Sequence, residues 1–194
     1  MPFLPRVWEN VQLIIDNPDA ILRFFRELSP LMASTLESSH SYLRSMQESD
    51  LPQVAEIERA TFPSPWPLSS FRQCLDFGYC CRVLAQGSLV QAYAIMAVEV
   101  DNAHILNLCV RPEFRQQGEG RQMLNHLLKL ARAAQVKDIF LEVRVSNHPA
   151  VHLYQSADFV KIGIRKNYYP SEKGREDALI LVKRLSAEKL EFQD

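Results

Sequence analysis

The sequence predicts an α/β domain: a mixed central sheet flanked by helices, in the order β-α-α-β-β-β-α-β-α-β-β. Three observations carry that prediction. From Tyr42 onward, stretches of period-two alternation exchange with stretches of helical period. Ile139–Val145 is nearly all apolar, as a strand in the middle of a sheet should be. A glycine turn, Gly118-Glu119-Gly120, joins a strand-like run directly to an amphipathic helix.

Each element follows from its residues. Tyr42–Met46 reads as a short first strand. Ser49-Asp50 opens a helix through Ala60, with Leu51, Val54 and Ile57 facing inward. Phe62-Pro63-Ser64-Pro65-Trp66-Pro67 is a rigid loop, because three prolines preclude regular structure. Ser69–Asp76 is a second helix. Cys81–Ala85 and Val90–Val100 are strands around a turn at Gln86-Gly87-Ser88, and Ile105–Val110 is the fourth strand. The next helix carries Leu124, Leu127, Leu128, Ala131 and Ala134 on one stripe. Ile139–Val145 is a strand, Pro149–Ser156 a short helix, and Val160–Lys166 and Ala178–Lys183 the last two strands.

The first forty residues stand apart. Val7, Val11, Ile14 and Ile15 keep helical spacing; Asn17 caps a second helix with Pro18 at its first position; Ile21, Leu22, Phe25 and Leu28 form its stripe. Ser29-Pro30 and a Ser/Thr-rich stretch to Ser41 read as a linker. The expected division is an extension and linker over 1–40, the main domain over 41–186 and a tail over 187–194. Residues 1–40 are read as helices packed on the main domain, or as a docking element for a partner or a second subunit. Translation from Met32 would make them non-native.

Composition narrows the classes. Lys+Arg 22 against Asp+Glu 23 is balanced and marks no nucleic-acid surface. The four cysteines, Cys74, Cys80, Cys81 and Cys109, form no metal-binding spacing and are expected as reduced thiols in a cytoplasmic protein. No apolar run approaches ~18 residues, so neither a membrane span nor a signal peptide is expected. No metal is expected.

The turn Arg115-Gln116-Gln117-Gly118-Glu119-Gly120 lies between the strand run Leu106–Val110 and a helix N-terminus. Free N–H groups and the positive end of the dipole make such a place an anion site, and the glycines let a ligand oxygen approach the main chain. A pyrophosphate is the expected ligand, with a bare structural turn as the alternative. No Lys-Ser/Thr follows the second glycine, which excludes a P-loop; the Gly-x-Gly spacing excludes the dinucleotide fingerprint. In the central strand, Glu142 shares a face with Phe140 and Arg144. A carboxylate there needs a partner or a task. It either pairs with Arg144, sits at an edge, or serves as a general base. Tyr154, in the following helix, is either a core aromatic or a proton donor.

Three blocks bear on these choices. They are the turn itself; Leu141-Glu142-Val143-Arg144-Val145-Ser146-Asn147 with Leu153-Tyr154-Gln155-Ser156-Ala157-Asp158-Phe159; and Arg165-Lys166-Asn167-Tyr168-Tyr169-Pro170 with Gly174-Arg175-Glu176-Asp177-Ala178. In this order they resemble the RimI-type ribosomal-protein-alanine N-acetyltransferases of the GNAT superfamily, over about Tyr42 to Leu185. The resemblance implies the GNAT fold. It also implies acetyl-CoA as cosubstrate and the N-terminal alanine of a small-subunit ribosomal protein as acceptor.

By resemblance Glu142 is the general base and Tyr154 the general acid. Leu108, Cys109, Val110, Arg115, Gln116, Gln117, Gly118, Glu119, Gly120 and Asn147 bind the cofactor. Main-chain N–H groups over Leu108–Val110 are candidates to face the thioester oxygen. Asn147 has a helix cap as its alternative role. Tyr168 and Tyr169, with the loop to Asp177, form one wall of the acceptor site, and the Phe62–Trp66 loop with Trp66 forms the other. Glu172, Glu176 and Asp177 suit a basic peptide tail, or are simply solvated.

Three departures stand out. Ser64-Pro65 is inserted in the family's Phe-Pro-Trp. Asp158 replaces a glycine. Glu119 replaces an apolar residue, and a carboxylate there is expected to weaken cofactor binding unless Arg115 and Arg121 offset it. Two alternatives remain open: a GNAT enzyme for other protein N-termini or a small amine, and a CoA-binding module without turnover.

Overall fold

A computed structural model describes residues 41–171 and 174–185. The helices and linker expected over residues 1–40, the C-terminal tail and Glu172 lie outside the described residues. The elements are β1 (Tyr42–Ser45), α1 (Leu51–Thr61), α2 (Leu68–Asp76), β2 (Cys80–Gln86), β3 (Leu89–Val98), β4 (Asn102–Val110), α3 (Glu119–Ala133), β5 (Asp138–Arg144), α4 (His148–Gln155), β6 (Val160–Ser171) and β7 (Gly174–Arg184). Short 3₁₀ turns at Glu48–Asp50 and Pro112–Phe114 precede α1 and the glycine turn. The predicted order holds.

The strands form one seven-stranded sheet, β1-β2-β3-β4-β5-β7-β6. All neighbours are antiparallel except β4 and β5. Helices cover both faces because the strands alternate. Leu84, Ala92, Ala94, Ile105, Leu141 and Val143 meet Met123, Leu124, Leu127 and Ala131 of α3 on one face. Val83, Tyr93, Ile95 and Cys109 meet Leu51, Val54, Ile57 and Phe71 of α1 and α2 on the other. Arg44 fixes the entry to α1 with two hydrogen bonds to the buried Asp50, at 2.6 and 2.8 Å.

The parallel pair is where the sheet opens. β4 and β5 are in register only from Asn102↔Asp138 to Ile105↔Leu141. There the β3–β4 ladder skips a residue, passing from Met96↔Ile105 to Ile95↔Asn107, so Leu106 is bulged. Beyond the bulge β4 stays with β3 through Val110, while β5 stays with β7 through Arg144. The two strands therefore part, and one edge of β4 faces the gap.

The final hairpin corrects an expectation. The segment from Tyr168 to Asp177, expected as a loop, belongs largely to two long strands, with Tyr169 paired to Glu176. The register jumps from Arg165↔Ala178 to Tyr169↔Glu176, which bulges residues 166–168 out of β6. Asn167 takes a positive φ of 52° there. β7 satisfies the bulge: Asp177 accepts from Asn167 N–H (3.0 Å) and the Lys166 ammonium (2.6 Å), and Arg175 donates to the carbonyls of Asn167 and Tyr168. The Asn-Tyr-Tyr-Pro and Gly-Arg-Glu-Asp blocks are thus two halves of one main-chain device. These are long-range bonds that no local propensity reports.

Candidate active site

Two clefts meet in the gap between β4 and β5. The larger, about 1060 Å³, runs along Cys109 and Val110, the glycine turn and the start of α4. The smaller, about 330 Å³, lies among Glu58, Trp66, Asn107, Glu142, Tyr154, Tyr168 and Tyr169. They share Phe62, Leu108, Arg144, Asn147 and Ala150.

Main chain shapes the larger cleft. Gly118 caps α3 at φ 101°, a conformation that disfavours side chains. The first backbone hydrogen bond of α3 runs from Gln122 N–H to the Gly118 carbonyl at 2.9 Å, so the N–H groups before it lack intrahelical partners. A Cβ on Gly120 would already lie 3.5 Å from Leu153 and 3.6 Å from Val110, both lining residues. Arg115 is anchored to the Thr61 hydroxyl (2.7 Å) and the Val110 carbonyl (3.2 Å). Arg121 donates to Ser156 Oγ. Together these make an anion cradle with two cations at its rim, which fits a pyrophosphate.

The expected cofactor residues divide here. Leu108, Cys109, Val110, Arg115, Gln116, Gly118, Gly120 and Asn147 line the larger cleft. Gln117 and Glu119 do not: the Gln117 amide turns back to the Glu113 carbonyl (2.9 Å), and Glu119 Oε2 is buried without a hydrogen-bond partner among the described residues. Glu119 sits in the first turn of α3, where the helix dipole favours an anion. Asn147 caps α4, accepting from Ala150 N–H at 3.2 Å. Burial pushes the Cys109 thiol up to about 11.

Side chains shape the smaller cleft. Glu142 does not pair with Arg144. Arg144 instead meets Glu176 at 3.2 Å and stacks over Tyr169. Glu142 contacts His104 Nε2 at 2.6 Å through Oε2, and Arg165 at 3.4 Å through Oε1. Tyr169 donates to the Glu142 carbonyl (3.0 Å); burial, then neighbouring Tyr168 and Glu142, push its phenol up to about 12. Tyr154 is buried. Burial raises its pKa, so the phenol stays protonated at neutral pH. Glu176, held by Ser146 N–H (2.7 Å) and Arg144, titrates below the ordinary carboxylate range.

Sequence reasoning missed Glu58. Its side chain is almost fully buried, and it accepts from Trp66 N–H (3.0 Å), Asn107 Nδ2 (3.3 Å) and the Tyr93 hydroxyl. It thereby ties the Phe62–Trp66 loop to β3 and to the bulged part of β4. A signal existed: Glu58 falls seven residues after Leu51 and four after Val54, on the apolar stripe of α1. Thr61, which holds Arg115 and accepts from the Cys109 thiol (3.3 Å), and His104 were also missed.

The profile of the acetyltransferase (GNAT) family matches residues 51–159. The chain belongs to the GNAT acetyltransferase family. This GNAT enzyme is 37% identical over 139 residues to the [ribosomal protein bS18]-alanine N-acetyltransferase of Escherichia coli K12, covering 72% of this chain and 94% of that protein. It is 37% identical over 141 residues to a putative enzyme of the same name from Bacillus subtilis, covering 72% and 92%. The crystal structure of the ribosomal-protein-S18-alanine N-acetyltransferase from E. coli superposes with a TM-score of 0.72 at 35% identity, covering 79% of this chain and all of that one. Among the described residues, no helix is long and apolar enough to cross a membrane, and no cluster of His, Cys, Asp or Glu is arranged to hold a metal.

Proposed function

We propose that this GNAT enzyme transfers the acetyl group of acetyl-CoA to the α-amine of an N-terminal alanine on a small-subunit ribosomal protein. The observation that carries the proposal is the junction of the two clefts: a main-chain anion cradle on one side and a carboxylate and a phenol on the other, reached through the same gap in the sheet. The relatives' names supply the acceptor class.

The glycine turn, with Arg115 and Arg121, holds the pyrophosphate. The free edge of β4 at Leu108–Val110 accepts the extended pantetheine as an added strand would be accepted. The same edge offers N–H groups to the thioester oxygen. Trp66, Tyr168 and Tyr169 wall the acceptor peptide. The acceptor amine has a reference pKa of about 7.7–8.0, so near neutral pH the base has one proton to remove from a partly neutral group. Glu142 takes that proton through water. Tyr154 donates its own to the departing thiolate. Burial keeps the phenol protonated, and it raises the proton affinity of the thiolate as well, which favours the transfer.

Mass spectrometry tests this reading. Peptides with N-terminal alanine, including the N-terminus of the bS18 homologue, are incubated with acetyl-CoA and the full chain. One acetyl group on the α-amine is the expected product. Acetylation confined to lysine side chains or small amines, or no product at all, would refute the proposal.

A further inference from the structure

We propose that His104 is a positioning residue for Glu142: it orients the carboxylate and carries the amine-derived proton from it to solvent. The proposal rests on the reading of Glu142 as the base. His104 stands opposite Phe140 in the parallel β4–β5 register, one pleat from Glu142 on the same face. Its Nε2 lies 2.6 Å from Glu142 Oε2.

The two side chains differ in where they lead. Glu142 lines the smaller cleft, and its side chain is 9% exposed. His104 is absent from the lining of either cleft, and its side chain is 39% exposed. The carboxylate is thus between the acceptor site and the imidazole, and the imidazole is between the carboxylate and water. A peptide in the cleft would cover the inner approach to Glu142 and leave the His104 side open.

Imidazole is suited to this passage because its two nitrogens exchange roles. The proton from the amine reaches Glu142 through water. With that proton on Oε2, it passes to Nε2 of the tautomer that carries its hydrogen on Nδ1, and the proton on Nδ1 leaves to solvent. The carboxylate ends as it began; the ring is left with its hydrogen on Nε2, and exchange with solvent, one proton taken up at Nδ1 and one released from Nε2, restores the accepting tautomer before the next turnover. Among the described residues, Arg165 of β6 also meets the carboxylate, at Oε1; a guanidinium stays charged and fixes the carboxylate without relaying. The cross-strand neighbours of His104 on β3 and β5 are Ala97 and Phe140, neither of which titrates.

The test uses the full chain with acetyl-CoA and an alanine-terminated peptide. His104→Ala, His104→Gln and Glu142→Gln are compared, with thermal melts to confirm folding. His104→Ala should lower kcat by about 10–100-fold, as loss of an outer partner does, and leave KM for acetyl-CoA unchanged. Added imidazole should restore the rate in proportion to its free base. His104→Gln keeps a hydrogen-bonding partner for Oε2 but cannot pass a proton, and should stay slow. A wild-type rate in His104→Gln, or a slow His104→Ala that ignores imidazole, would overturn the proposal. If Glu142→Gln is slow while both His104 variants are fast, this proposal alone falls. If Glu142→Gln is itself fast, the base assignment falls and takes the proposal with it.

Discussion

Along the larger cleft the groups that would meet a ligand are mostly main chain: the turn at Gly118, the first N–H groups of α3 and the free edge of β4. Along the smaller cleft they are side chains from five elements: Glu58 of α1, Asn107 of β4, Glu142 of β5, Tyr154 of α4 and Tyr168–Tyr169 of β6. The difference teaches how each part fails. A site made of main chain tolerates changes of side chain and is lost when a new side chain fills it. A site made of side chains is lost residue by residue, and each residue depends on partners far away in sequence.

The largest effect expected on the first half of this comparison is at Gly120. Gly120→Glu places a charged side chain between Leu153 and Val110, in the space meant for an anion. Wild-type protein should gain about 2.7 kcal/mol of stability with acetyl-CoA at a hundredfold above Kd. The variant should show no ligand-dependent change in Tm by differential scanning fluorimetry.

Next in size are the two proton-transfer groups of the second half. Glu142→Gln and Tyr154→Phe should each lower kcat by about 10²–10⁴, with acetyl-CoA affinity unchanged by calorimetry. A loss of affinity in either would merge the two clefts into one functional unit.

Glu58→Gln should act more mildly and on one cleft only. It weakens the acceptor for Tyr93, Asn107 and Trp66 inside the core, at a cost of about 1–3 kcal/mol in denaturant unfolding. KM for the peptide should rise while KM for acetyl-CoA holds, because the Phe62–Trp66 loop loses its anchor.

Cys109→Ala should change little. The thiol, held up to about 11, is protonated at neutral pH, so the residue offers the cofactor its N–H and not its sulfur. Alkylation followed by mass spectrometry should find Cys109 unreactive in native protein near pH 8 and labelled on denaturation. Smallest of all, a chain starting near Ser39 should keep kcat with acetyl-CoA and peptide, because every described lining residue of the two clefts lies beyond Tyr42.

The same contrast explains what the sequence disclosed. The glycine turn was legible because local chemistry determines it: two glycines, a preceding strand and a following amphipathic helix lie within one short segment. The order of elements was legible from periodicity, and Asp158, which replaces a glycine, takes the left-handed conformation that Asp tolerates, at φ 62°. The partners of Glu142 were not. Arg144 is two residues away on the same face, yet it pairs with Glu176, while His104 and Arg165 arrive through the β4–β5 register and the bulged hairpin. The hairpin was read as a loop because its bulge is stabilised by Arg175 and Asp177 across the ladder. Glu58 was overlooked although its position on the stripe of α1 marked it.

The division of labour at the cleft junction is tested most directly by kcat against pH for wild type, Glu142→Gln and Tyr154→Phe with an alanine-terminated peptide. Without the base, turnover depends on amine that is already neutral, so Glu142→Gln should regain part of its rate as pH rises through about 8. Tyr154→Phe lacks a donor at every pH and should regain none. Parallel profiles for the two variants, or wild-type rates in both, would contradict opposite roles for Glu142 and Tyr154 and leave positioning as the source of catalysis.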